Sequence, residues 1–89
     1  MKRIAISISG KVQDVGFRYF VKSRADDLGL VGFVKNLRNG CVKVVAEGRE
    51  ESLKRLVDIC NAGPPDSKVK RVRVRSQAAK NEFAGFEIN

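Results

Sequence analysis

Residues 10 to 18 read Gly-Lys-Val-Gln-Asp-Val-Gly-Phe-Arg. Two glycines let the backbone turn tightly and aim consecutive N–H groups at one point. A helix beginning at Gly16 or Phe17 adds unpaired N–H groups and the positive end of its dipole. Arg18 falls in that first turn, where its planar, permanently charged fork folds back over the same spot. Gly10, Lys11, Val12, Gln13, Asp14, Val15 and Gly16 are therefore a candidate cradle for a phosphate dianion, with Arg18 as its clamp and no metal required. Asp14 is the discordant member, because a carboxylate repels a dianion. It is expected to point outward to solvent and leave the cradle intact.

The rest of the composition narrows the chemistry. The chain has no histidine, which excludes Ser-His-Asp and Cys-His catalysis. Catalysis would have to work by positioning and fixed charge, or through carboxylates or lysine. Cys41 and Cys60 lack the spacing of a metal site and are expected to be free thiols packed as small hydrophobes. The net charge of +8 attracts anions of many kinds without choosing among them. No apolar run approaches the roughly 20 residues that span a bilayer. The N-terminus alternates apolar and polar residues instead of forming the continuous stretch of a signal peptide, so a cytoplasmic protein retaining Met1 is expected.

The 89 residues suit one small domain over positions 1–89. Ile4, Ile6 and Ile8 alternate with Ala5, Ser7 and Ser9, the pattern of a half-buried strand over residues 3 to 9. Phe17, Phe20, Val21, Ala25 and Leu28 recur at helical spacing up to Gly29. Two extended runs, 31–37 and 41–47, flank the hairpin signal Asn39-Gly40. Leu53, Leu56, Val57 and Cys60 form the stripe of a second helix over 50–62. Glu50 and Glu51 lie in its first turn, and Gly63-Pro64-Pro65 stops it. Residues 69 to 75 alternate valine with Arg71, Arg73 and Arg75, and the final run Phe-Ala-Gly-Phe-Glu-Ile-Asn is a candidate fifth strand. Phe17, Phe20 and Phe33 are expected in the core, and Gly32 marks a close approach or a bulge.

That order is β-α-β-β-α-β, the ferredoxin-like α+β arrangement. It predicts an antiparallel sheet with two helices on one face and the other face open to water.

The residues of the opening stretch are more specific than their physics. They resemble the acylphosphatase signature Gly-x-Val-Gln-Gly-Val-x-Phe-Arg. A second stretch, Gly32 to Gly48, fits that family's other signature: Gly, aromatic, small apolar, Lys, Asn, then spaced Gly, Val and Gly. The resemblance covers the whole chain. It implies hydrolysis of acyl phosphates by a monomer without cofactor or metal, with inorganic phosphate as product or inhibitor. It further implies that the loop amides and Arg18 hold the phosphoryl group and that Asn36 orients the attacking water. The family usually has glycine where this chain has Asp14. Aspartate tolerates a left-handed backbone better than most residues, so the loop is expected to survive the change.

Two other functions fit parts of the sequence. The Arg71, Arg73, Arg75 row could serve an RNA-binding sheet face, although Ala5, Ser7 and Ser9 offer no ring on which to stack a base. Nucleic acid is therefore not the expected partner. A regulatory module that binds phosphate without turnover would require the active residues to be missing, and they are present.

Overall fold

The structure, a computed structural model, describes all 89 residues, Met1–Asn89. Strand β1 (Lys2–Lys11) is followed by helix α1 (Phe17–Asp27), β2 (Val31–Asn36), β3 (Val42–Gly48), α2 (Glu50–Ala62), β4 (Lys68–Gln77) and β5 (Phe86–Ile88). The alternation along β1 sends Ile4, Ile6 and Ile8 to one side, where all three are buried. Ile6 pairs with Val74 and Val44, Val44 with Val34, and Val34 with Ile88, so one apolar row crosses all five strands. Phe17, Val21 and Ala25 of α1 and Leu53, Leu56 and Cys60 of α2 close over that row. Each fully buried Ile, Val or Leu stabilises the fold by about 1.5–3 kcal/mol.

The strands lie in the order β4-β1-β3-β2-β5. The four long strands are antiparallel, as their sequence order predicts. The fifth corrects that expectation: β5 runs parallel to β2, and the sheet is mixed. The reason is geometric. β4 finishes beside Arg3, at the end of the sheet where β2 begins. The connection 78–85 crosses that end directly, and Gly32 N–H donates to the Gly85 carbonyl at 3.0 Å as β5 starts. Gly32 itself lies so close to β3 that a Cβ would run into the Val45 carbonyl, which accounts for the glycine.

The open face is also less open than its sequence suggests. Phe33 points to that side, not into the helix-side core, and meets Phe83 edge-on at 6.0 Å. The connection 78–85 carries Phe83 over Arg3 as well, with the guanidinium 5.2 Å from the ring centre. Arg3 donates to Glu47 at 3.3 Å and to Glu82 at 2.9 Å. Glu47, fully buried, also accepts the Lys80 and Asn81 backbone N–H groups. Those groups, the Lys80 N–H foremost, hold the Glu47 carboxyl below its ordinary pKa against the opposing effect of burial. Cys41 and Cys60 are free, and burial pushes the Cys60 thiol up to about 12.

Candidate active site

At the opposite end of the sheet, β1 turns into α1 through residues 12 to 16. The turn begins with a β-bulge at Ser9 and Gly10, where β1 presses against the start of β4. Gly10 has φ 122°, and a Cβ there would run into the Lys68 carbonyl. Val12 is buried in the core and Val15 packs against it, so the loop is pinned by two apolar side chains three positions apart. Asp14 adopts φ 62°, a left-handed conformation that aspartate tolerates better than most residues. Gly16, at φ 76°, caps α1 without any side-chain hydrogen bond. No acidic residue occupies the first turn, so its N–H groups and the positive dipole end remain available.

The Gln13 side chain ties this loop to the β2–β3 hairpin. Its Nε2 donates to the Leu37 carbonyl at 2.8 Å and to the Cys41 carbonyl at 3.0 Å. The hairpin is itself closed by the Leu37–Cys41 backbone bond at 2.8 Å and by Asn39, whose side chain accepts from the Cys41 N–H. The clamp fixes the loop against the strand that ends in Asn36.

A cavity of about 130 Å³ results, lined by Val12, Asp14, Gly16, Phe17, Arg18, Tyr19 and Asn36. That volume accommodates a phosphoryl group beside a water, whose share of the liquid is about 30 Å³. Arg18 and Asn36, far apart in sequence, thus share one small space. Val12, Asp14 and Gly16 border it, whereas Gly10, Lys11, Gln13 and Val15 do not. Gly10 shapes the bulge, Lys11 is exposed at the end of β1, Gln13 works as the clamp, and Val15 serves the core. Arg18 Nη1 donates to the Asn89 main-chain oxygen at 3.3 Å, and the Asn89 N–H donates to the Val34 carbonyl at 2.9 Å. Asp14 is exposed, as expected, yet it also borders the cavity, and it forms no ion pair with Lys11. No three His, Cys, Asp or Glu side chains gather in a way that would hold a metal ion.

Asn36 carries the most informative detail. Its Oδ1 is the one buried side-chain polar atom in the molecule without a hydrogen-bond partner. A buried acceptor left unpaired costs about 1–3 kcal/mol, so it persists where another requirement holds it. Arg18 and Asn36, the two residues singled out from the sequence, line the same cavity. Sequence reasoning missed the Gln13 clamp and the Arg3–Glu47–Glu82 network, because their partners lie far along the chain.

Fold and cavity together define a class: a ferredoxin-like α+β sandwich with an anion-sized pocket at its first strand-to-helix turn. The particular family follows from comparison with known proteins. The acylphosphatase family model matches residues 4–88. The acylphosphatase of Methylococcus capsulatus is 41% identical over 88 residues, covering 99% of this chain and 96% of its own. That of Bacillus licheniformis is 43% identical over 89 residues, covering 100% and 99%. The crystal structure of acylphosphatase from Bacillus subtilis superimposes with a TM-score of 0.96 at 39% identity, over 100% of this chain and 99% of that one. The chain belongs to the acylphosphatase family.

Proposed function

We propose that the cavity between the loop, α1 and the end of β2 is the site at which this chain hydrolyses acyl phosphates. Family membership supports the reaction itself: water cleaves a carboxyl–phosphate mixed anhydride to carboxylate and inorganic phosphate. The roles of the residues are our reading of the geometry. The phosphoryl oxygens accept hydrogen bonds from the loop and from the N–H groups of the first turn of α1, and Arg18 neutralises the charge spread over them. Asn36 Oδ1 accepts from the attacking water, while its Nδ2 donates to a phosphoryl oxygen.

The oxygen of that water attacks phosphorus in line with the departing carboxylate. The P–O bond to the acyl group breaks with its electron pair on the carboxylate. This is a stable anion and leaves without a general acid, so the absence of histidine is no obstacle. An amide is too weak a base to ionise water, and the water proton passes to an oxygen of the phosphoryl group. Positioning and charge therefore supply the catalysis. The cavity encloses little more than the phosphoryl group, which predicts tolerance of many acyl groups. The same reading includes phosphate as product inhibitor, a cytoplasmic monomer, one unit over residues 1–89, and no nucleic-acid partner.

The observation that carries the proposal is the unpaired, buried Oδ1 of Asn36 in the space that Arg18 also lines. The test is steady-state hydrolysis of a simple acyl phosphate. Asn36→Ala should lower kcat far more than it weakens phosphate inhibition, whereas Arg18→Ala should weaken phosphate inhibition strongly as well. Full activity in Asn36→Ala would overturn the assignment of the water.

A further inference from the structure

The outer edge of β4 has no neighbour in the fold, since β1 lies on its other side and the sheet ends there. It presents ten residues, Lys68–Gln77, along a single free edge. Its two faces differ. Arg71, Arg73 and Arg75 lie on the open side opposite Ser9, Ser7 and Ala5; all three are exposed, and none is in an ion pair. On the helix side the apolar surface is incompletely covered, and Val74 is 46% exposed. A groove of about 530 Å³ runs between the Val74–Gln77 half of β4 and α2, with Ile4, Leu53, Val57 and Val74 among its lining residues. The Lys2–Glu50 ion pair, at 3.1 Å, borders it.

We propose that this edge docks an extended segment of another protein in which acidic and apolar side chains alternate. Such a segment would add to the sheet as a sixth strand, taking main-chain hydrogen bonds from the free edge of β4. Side chains of a strand alternate between faces, so each feature of β4 selects one half of the segment. Acidic residues at alternate positions fall beside Arg71, Arg73 and Arg75, which span about 14 Å along the strand. The intervening apolar residues fall over Val74 and the groove, where they remove apolar surface from water.

Charge decides between occupants. A second copy of β4 would place arginines beside arginines, which is unfavourable. A nucleic acid would engage the arginines through its phosphates but would leave the groove and the backbone edge unused. The alternating acidic segment engages all three features at once.

The experiment uses the full chain and a fluorescent, end-capped octapeptide alternating glutamate and valine. Its partners are an isomer of the same composition in blocks, and an alternating lysine–valine peptide. The alternating acidic peptide should bind more tightly than either, and its affinity should fall as salt is raised. Backbone amides of β4 should gain protection from hydrogen exchange when it binds. The double variant Arg73→Ser, Arg75→Ser should lose about tenfold in affinity, and Val74→Asp a similar amount, with acyl phosphate hydrolysis unchanged in both as the sign of intact folding. Equal binding of the block isomer, or binding without protection of β4, would reduce the effect to general charge attraction and overturn the proposal. Self-association of the free chain through this edge, or displacement of the peptide by a single-stranded oligonucleotide that binds more tightly, would overturn it in favour of those occupants.

Discussion

The two ends of the sheet use polar groups in opposite ways. At the end where β4 stops and β2 begins, Arg3, Glu47 and Glu82 are drawn together under the connection 78–85. The buried carboxylate there accepts from one guanidinium and two backbone amides. At the end where β1 stops, α1 begins without a side-chain cap, and Asn36 Oδ1 is buried with no partner. The first arrangement is closed: its charges satisfy one another, and it has nothing left to offer a ligand. The second is held open by the Gln13 clamp and by two left-handed residues, Asp14 and Gly16. Buried polar groups thus stabilise where they are saturated and stay free to accept a partner where they are not.

The largest effects on activity are expected at the open end. Arg18→Ala should lower kcat/KM for an acyl phosphate by about 100–1,000-fold while the thermal midpoint barely moves. Asn36→Ala should cost about 100-fold, nearly all of it in kcat, and satisfying or removing the unpaired acceptor should leave stability equal or slightly raised. A large fall in stability for either variant would erase the contrast between the two ends.

At the closed end the effect should be the reverse. Glu47→Ala leaves the Lys80 and Asn81 amides and Arg3 without their acceptor, and the thermal midpoint should fall by roughly 10 °C with kcat maintained in the folded protein. The network also sets a pH dependence. The pKa of Glu47 is lowered on folding, so it releases its proton more readily in the native state than in the unfolded chain. Its stabilisation is therefore present above the ordinary glutamate value of 4.5 and is lost as pH falls through the lower native value. Glu47→Gln should flatten the acid side of a stability–pH curve measured by urea unfolding.

The smaller effects sharpen the boundary between the two kinds of site. Gln13→Ala should lower activity by about tenfold through a loosened loop, with inhibition by phosphate weakened in proportion. Asp14→Gly should leave activity similar or raise it about twofold, most visibly in KM at low salt, since it removes a negative charge from the rim of the cavity. A large loss in Asp14→Gly would give the aspartate a role beyond tolerating its backbone.

What the sequence reveals follows from the range of the forces involved. The alternation of Ile4, Ile6 and Ile8, the helical stripe of α2 and the Asn39-Gly40 turn are local patterns, and each element forms where its pattern lies. Arg18 and Asn36 are legible because two signatures place them in known elements. The parallel pairing of β5 is not legible, because direction depends on which end of the sheet a connection crosses. The same applies to Phe33, whose partner Phe83 arrives on that connection. Nothing local in the sequence marks Arg3 and Glu47, whose partners arrive only with residues 80–83. The Gln13 clamp is hidden for the same reason, since its acceptors are backbone carbonyls of a hairpin more than twenty residues away.

Strand β1 is the first element of the chain and sits between β3 and β4, each formed by much later residues. During synthesis it emerges without either neighbour. Its apolar row waits for residues 42–48 and then for residues 68–77, while the Arg3–Glu47 pair waits further for residues 80–82. Loops of this length close slowly, and a sheet assembled from distant segments folds more slowly than one built from neighbouring hairpins. The strand that leads into the candidate phosphate loop is thus made before both of its neighbours and completed late. The cavity acquires its geometry only when nearly the whole chain is present.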